Sequence, residues 1–92
     1  MKIHVVIGMA GDKNHREMFS FFPENSQFYF CSSTNERVLA GADLAKIADS
    51  LNKKGKSYPS VRDGLMAAKK EVSANEIIVV TGSNFIVADI LS

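Results

Sequence analysis

Two stretches decide the fold of this chain: Ile3-His4-Val5-Val6-Ile7-Gly8, followed by Met9-Ala10-Gly11-Asp12-Lys13-Asn14, and Ile77-Ile78-Val79-Val80-Thr81-Gly82, followed by Ser83-Asn84-Phe85. Each is a near-continuous apolar run, rich in β-branched residues, that ends on a glycine-bearing turn leading into a helix. Strands that are apolar on both faces belong to parallel sheets covered by helices on both sides. Such sheets carry their functional groups in loops beyond the strands' carboxyl ends. The two turns are therefore the places to look for a site.

Between them, strand and helix signals alternate. His15 to Phe22 reads as a short helix stopped by Pro23. Gln27 to Ser32 is an aromatic, β-rich strand, and a long loop through Ser33-Thr34-Asn35 follows it. Leu44, Ile47, Ala48 and Leu51 recur at helical spacing over Asp43 to Leu51, and Asn52-Lys53-Lys54-Gly55 reads as that helix's stop, with cations at its negative end. Ser57-Tyr58 is a short segment before Pro59. Ser60 is placed to cap a helix carrying Val61, Leu65, Ala68 and Val72, and Phe85 to Leu91 reads as a final helix. The alternation β-α-β-α-β-α-β-α predicts an α/β three-layer sandwich.

Composition narrows the function. With 92 residues and 46% hydrophobic content, the chain forms one small domain with one core. Eleven basic against ten acidic side chains give a formal charge of +1, which argues against broad electrostatic binding to nucleic acid or to an anionic membrane. A ligand must be held by local groups. The single cysteine, Cys31, leaves no internal disulfide and no Cys-x-x-Cys motif, so a reducing cytoplasm is the expected compartment. No stretch approaches transmembrane length.

The first turn offers Lys13 as a cation near a strand end, with Asp12 or Asn14 free to cap the next helix. That suits a carboxylate or phosphate, although Gly-Asp-Lys-Asn is also ordinary turn chemistry. The second turn offers Thr81, Ser83, the Asn84 amide and backbone N–H groups at a helix start, a natural anion site unless Ser83 merely caps the helix. If the first and last strands are neighbours, a cation and a helix N-terminus converge on one anionic group. His4, inside an apolar strand, reads as a structural residue, and His15 as part of an exposed helical turn.

Taken in order, Val6-Ile7-Gly8-Met9 with Asp12-Lys13, Arg37-Val38-Leu39-Ala40 before Asp43-Leu44, Tyr58-Pro59-Ser60-Val61, and Ile78 to Asp89 resemble the C-terminal domain of folylpolyglutamate synthase/dihydrofolate synthase, in the Mur ligase superfamily. The resemblance covers essentially the whole chain. It implies an ATP-dependent ligase that joins L-glutamate to a folate or dihydropteroate carboxylate through an acyl phosphate. ATP and Mg2+ would then be bound mainly by a P-loop ATPase domain outside this sequence. It implies that Lys13, Thr81 and Ser83 hold glutamate carboxylates, that Phe85 packs beside them, and that Arg37 is a weaker candidate, a surface residue or an anchor for a domain interface.

The chain starts almost inside its first strand, and the Asp-Gly-Ala-His-Asn segment that precedes this strand in the family is missing, as are the P-loop and the magnesium ligands. We therefore expect residues 1–92 to be a fragment of a longer enzyme, inactive alone. Its Rossmann-like sheet would be four-stranded and parallel in spatial order 4-1-2-3. The last strand would form an exposed apolar edge that favours self-association. The alternative is a stand-alone flavodoxin-like binding or interaction module, but the strand ends at Gly8, Ser32 and Thr81 lack the acceptor aspartate of a phospho-receiver.

Overall fold

A computed structural model describes residues 2–11, 14–33 and 38–81. Its elements run β1 (Ile3–Ile7), α1 (His15–Ser20), β2 (Gln27–Cys31), α2 (Gly41–Ser50), β3 (Gly55–Tyr58), α3 (Val61–Glu71) and β4 (Ile77–Thr81). The strands form one all-parallel sheet in the order β3-β2-β1-β4, which is the expected 4-1-2-3 read from the other side. The α/β architecture follows as the alternating pattern predicts.

This order dictates where the helices lie. Stepping from β1 to β2 to β3 moves the chain one way across the sheet, and right-handed crossovers place α1 and α2 on one face. Helix α3 must carry the chain back from β3 at one edge to β4 at the other, so it crosses the opposite face. Two cores result. One, formed between the sheet and α1 and α2, comprises Val5, Ile7, Met9, Phe19, Phe28, Phe30, Leu44 and Ala48, and the other, between the sheet and α3, comprises Val6, Tyr29, Cys31, Val38, Val61 and Ala68. The odd residues of β1 face the first core and the even ones the second, the period-two alternation of a strand. Of the periodic positions, Leu44 and Ala48 of α2 are buried, and Ile47 and the C-cap residue Leu51 are half-buried.

Three local readings are corrected. Helix α1 ends at Ser20, so Phe21 and Phe22 lie in the turn before Pro23, and Phe21 is 71% exposed. The turn after α2 is made by Asn52 in the left-handed region, at φ 63°, and the last turn of α2 contains no basic residue. Gly55 is not the helix stop but the first residue of β3, which begins two residues before Ser57. A side chain at Gly55 would overlap the carbonyl oxygen of Phe28 on the neighbouring strand. The final helix read over Phe85 to Leu91 lies outside the described residues.

Candidate functional site

At the carboxyl end of the sheet β1 and β4 are direct neighbours, and Ile7 pairs with Thr81 in register. The two glycine-bearing turns therefore leave from adjacent strand ends, the topological condition for a shared crevice. Of the candidate residues, Thr81 is described: it is the last residue of β4 and is half-buried. Lys13, Asp12, Arg37, Ser83, Asn84 and Phe85 lie outside the described residues.

The first turn is anchored on both sides. Gly8, Met9 and Ala10 continue β1 as buried backbone. Leu39 N–H donates to the Met9 carbonyl at 2.8 Å, and Ala10 forms an isolated antiparallel bridge with Val38, so the segment leading to α2 is stapled to the turn's start. On its far side, Asn14 caps α1 by accepting the Glu17 N–H at 3.0 Å, and His15 Nε2 lies 3.0 Å from the Ala10 carbonyl oxygen, to which it can donate. His15 thus ties the helix start back to the turn instead of serving as a solvated helical residue. Backbone hydrogen bonds and one imidazole hold both ends of the lysine-bearing turn.

The other strand ends are closed by their own helices. Ser60 caps α3 by accepting the Asp63 N–H. Helix α2 starts after Ala40, which has no capping side chain. Instead Ser32, at the end of β2, accepts the Gly41 N–H at 2.7 Å while its own N–H donates to the Tyr58 carbonyl. Sequence reading missed this cap because it comes from nine residues upstream. Gly41 is required there, since a Cβ would lie 2.5 Å from the Phe30 carbonyl oxygen.

Among the described residues no group of three or more His, Cys, Asp or Glu side chains could hold a metal ion, and no helix is long and apolar enough to cross a membrane.

The family model described as Mur ligase, glutamate ligase domain matches residues 1–84. The chain belongs to this family. The glutamate ligase domain seen here is similar in fold to Escherichia coli FolC in complex with DHPP and ADP, at 24% identity and a TM-score of 0.83, with 99% of this chain and 21% of that one covered. It is similar also to the bifunctional folylpolyglutamate synthase/dihydrofolate synthase of Yersinia pestis CO92 complexed with AMPPNP and Mn ion, at 21% identity and a TM-score of 0.81, covering 98% of this chain and 21% of that one. The domain thus spans about a fifth of the length of these solved proteins. No curated protein sequence matches it.

Proposed function

We propose that this domain is the C-terminal part of a longer, ATP-dependent carboxylate–amine ligase acting on folates, and that its role is to deliver L-glutamate. The observation that carries the reading is that β1 and β4 are neighbours in a glutamate ligase domain, with Ile7 opposite Thr81, which supports a shared crevice for the segments that follow the two strands. Lys13 supplies a positive charge for a glutamate carboxylate, the hydroxyls of Thr81 and Ser83 and the amide of Asn84 supply hydrogen bonds, and Phe85 packs beside them. Asp12 orients the lysine turn, and Arg37 acts at the interface to the ATPase domain.

In the complete enzyme, ATP with Mg2+, held mainly by that other domain, phosphorylates the terminal carboxylate of a folate or dihydropteroate. The glutamate amine then attacks the acyl carbon, the amide bond forms, inorganic phosphate leaves with the former carboxylate oxygen, and the amine's proton passes to solvent. The domain's share is positioning, which lowers the barrier by holding the amine in line. The chain alone has no activity, acts in the cytoplasm as part of its parent, and has neither nucleic acid nor membrane as a partner.

Lys13→Ala in the intact enzyme tests the reading. Loss of one charge-assisted contact is expected to raise KM for glutamate by about 10- to 100-fold while KM for ATP changes by less than about threefold. Unchanged glutamate kinetics overturn the assignment.

The edges of the sheet support a second part of the proposal. Strand β3 is short, carries Lys56 and runs into Pro59, all features that discourage further pairing, whereas β4 is an uncharged Ile-Ile-Val-Val-Thr edge with Ile77 43% and Val80 36% exposed. The isolated chain pairs with a second copy through β4. Light scattering at high concentration should give a dimer mass, and Val80→Lys should return it to monomer. A monomeric mass for the unmodified chain refutes this pairing.

A further inference from the structure

Two adjoining clefts open at the amino end of the sheet, away from the candidate site. The first, of about 550 Å³, crosses the starts of β1, β2 and β3, where Lys2, Lys54 and Lys56 line it beside Gln27 and Gly55. The second, of about 390 Å³, is lined by Arg16 of α1, Phe22, Leu51 and Lys53. Glu24 and Asn52 belong to both, so the two form one groove. Five of the chain's eleven basic side chains line it, against one of its ten acidic ones, Glu24. In a chain of formal charge +1, positive charge is concentrated here.

The fold does not need these charges. Helices α1 and α2 both end at the groove, and their carbonyls find partners close by in the chain. Those of Glu17, Met18 and Phe19 accept the Ser20 hydroxyl and the Phe21 and Phe22 N–H groups. Those of Ile47, Ala48 and Asp49 accept the Ser50 hydroxyl and the N–H groups of Leu51, Lys53 and Asn52. The neighbouring carboxylates are engaged as well. Glu71 Oε2 lies 3.0 Å from both the Tyr29 hydroxyl and Gln27 Nε2, and Glu76 accepts the Ser73 N–H at 2.9 Å and lies 2.8 Å from His4 Nε2. Lys2 acts on Glu76 only through space, and none of the five basic side chains forms a hydrogen bond or ion pair with a described residue.

The halves of the groove differ in character. The lysine half is polar, with Asn25, Gln27 and Asn52 among the charges, whereas the other half sets half-buried Phe22 and Leu51 beside Arg16 and Lys53. Phe21, next to Phe22 in the chain, is 71% exposed. A small anion suits the first half alone. We infer that the groove docks an acidic segment of a partner protein, its carboxylates meeting Lys54, Lys56 and Lys2 and an apolar side chain resting on Phe22 and Leu51. Helix carboxyl ends repel anions, so the attraction comes from these side chains and weakens as salt rises. The assignment to a separate partner rests on the proposed enzyme, whose ATPase domain meets the carboxyl end of the sheet and leaves this end outward.

Amide NMR of the labelled 92-residue chain at low salt, titrated with a short peptide of glutamates flanking one leucine, tests the docking site. Saturable shifts are expected at Phe22, Gln27, Asn52 and Gly55 and none at Gly41 or Ser60, at the other end of the sheet. A glutamine version of the peptide should leave the spectrum unchanged, and serine in place of leucine should weaken binding by about fivefold. Lys54→Glu combined with Lys56→Glu should weaken it by about tenfold or more, while Arg62→Glu with Lys69→Glu, on α3 and outside the groove, stays within about twofold. Equal losses from the two pairs would reduce the effect to overall charge and overturn the inference. So would inorganic phosphate that reproduces the shifts, or a serine peptide that binds as tightly, since either leaves a small-anion site. The intact enzyme should bind the peptide as well as the 92-residue chain does. A groove closed to peptide there gives it to the enzyme's own domains and refutes a separate partner, whatever Lys13→Ala does to glutamate kinetics.

Discussion

The two faces of the sheet are built on different physics. Under α1 and α2 the contacts are dry and aromatic: Phe28 and Phe30 stack at 5.7 Å, and Phe19 sits edge-on to both, at 5.3 and 6.1 Å. Under α3 smaller residues surround Tyr29, whose hydroxyl joins His4 and Glu71 in a hydrogen-bonded relay, and the helix comes so close to the sheet that Gly64 faces Cys31 directly. The first face is held by volume, which a cavity erodes in proportion to its size. The second is held by fit and by hydrogen bonding, so small chemical changes with little change in volume should disturb it.

Phe30→Ala should show the largest effect, a loss of about 3–5 kcal/mol in urea unfolding, because an emptied aromatic site between two other rings cannot collapse. Gly64→Ala comes next, at about 2 kcal/mol, since the new methyl group overlaps Cys31 Sγ. Adding Cys31→Ala should restore part of that loss, and additive losses in the double variant would show that the close approach is not the cause. Tyr29→Phe removes one oxygen and should cost about 1–2 kcal/mol through the donors and acceptors it strands, moderated because Glu71 reaches solvent.

The smallest change is a pH dependence. The depressed titration of Glu76 contributes stability that is fully present above its unfolded value near 4.5 and is lost as pH falls through the lower native value. Urea midpoints of wild type and Glu76→Gln should therefore differ at pH 6 and converge in acid; a gap that persists at low pH would separate Glu76 from charge-dependent stabilisation. Cys31 offers an independent check that this face is closed. Desolvation pushes its thiol up to about 12, so it should resist alkylation at pH 8 until the chain unfolds.

Much of the fold is legible from local pattern. The β-branched runs at Ile3 and Ile77 announce parallel strands, of which β1 is buried and β4 is a half-exposed edge, and the spacing of Leu44, Ala48, Val61 and Ala68 marks the inward faces of α2 and α3. Strand β3 is legible only in part: the alternation calls for a strand at Ser57-Tyr58, but its start at Gly55 is hidden, because Gly55-Lys56-Ser57-Tyr58 is an edge whose side chains are mostly exposed and whose pairing with Phe28 to Cys31 rests on backbone hydrogen bonds. The relay is hidden for another reason. Its members are 25, 42 and 72 residues apart, and no local window contains two strand-distant partners. Of the candidate site, the adjacency of the β1 and β4 strand ends follows from the sheet order, and Thr81 is the last residue of β4. The cap from Ser32 and the tie from His15 escaped because they reach nine and five residues along the chain, outside the local spacing by which a cap such as Ser60 is read.

The central strand β1 takes its last partner, β4, from the far end of the chain, with Ile3 opposite Ile77. During synthesis β1 emerges before the other strands of the domain and must keep one hydrogen-bonding edge open until nearly the whole domain has been made. Closing so long a loop has an entropic cost before any contact repays it, which slows folding and leaves an adhesive edge exposed in the nascent chain. A domain of this topology therefore matures in one late step, and the half-made chain is the species that chaperones must guard.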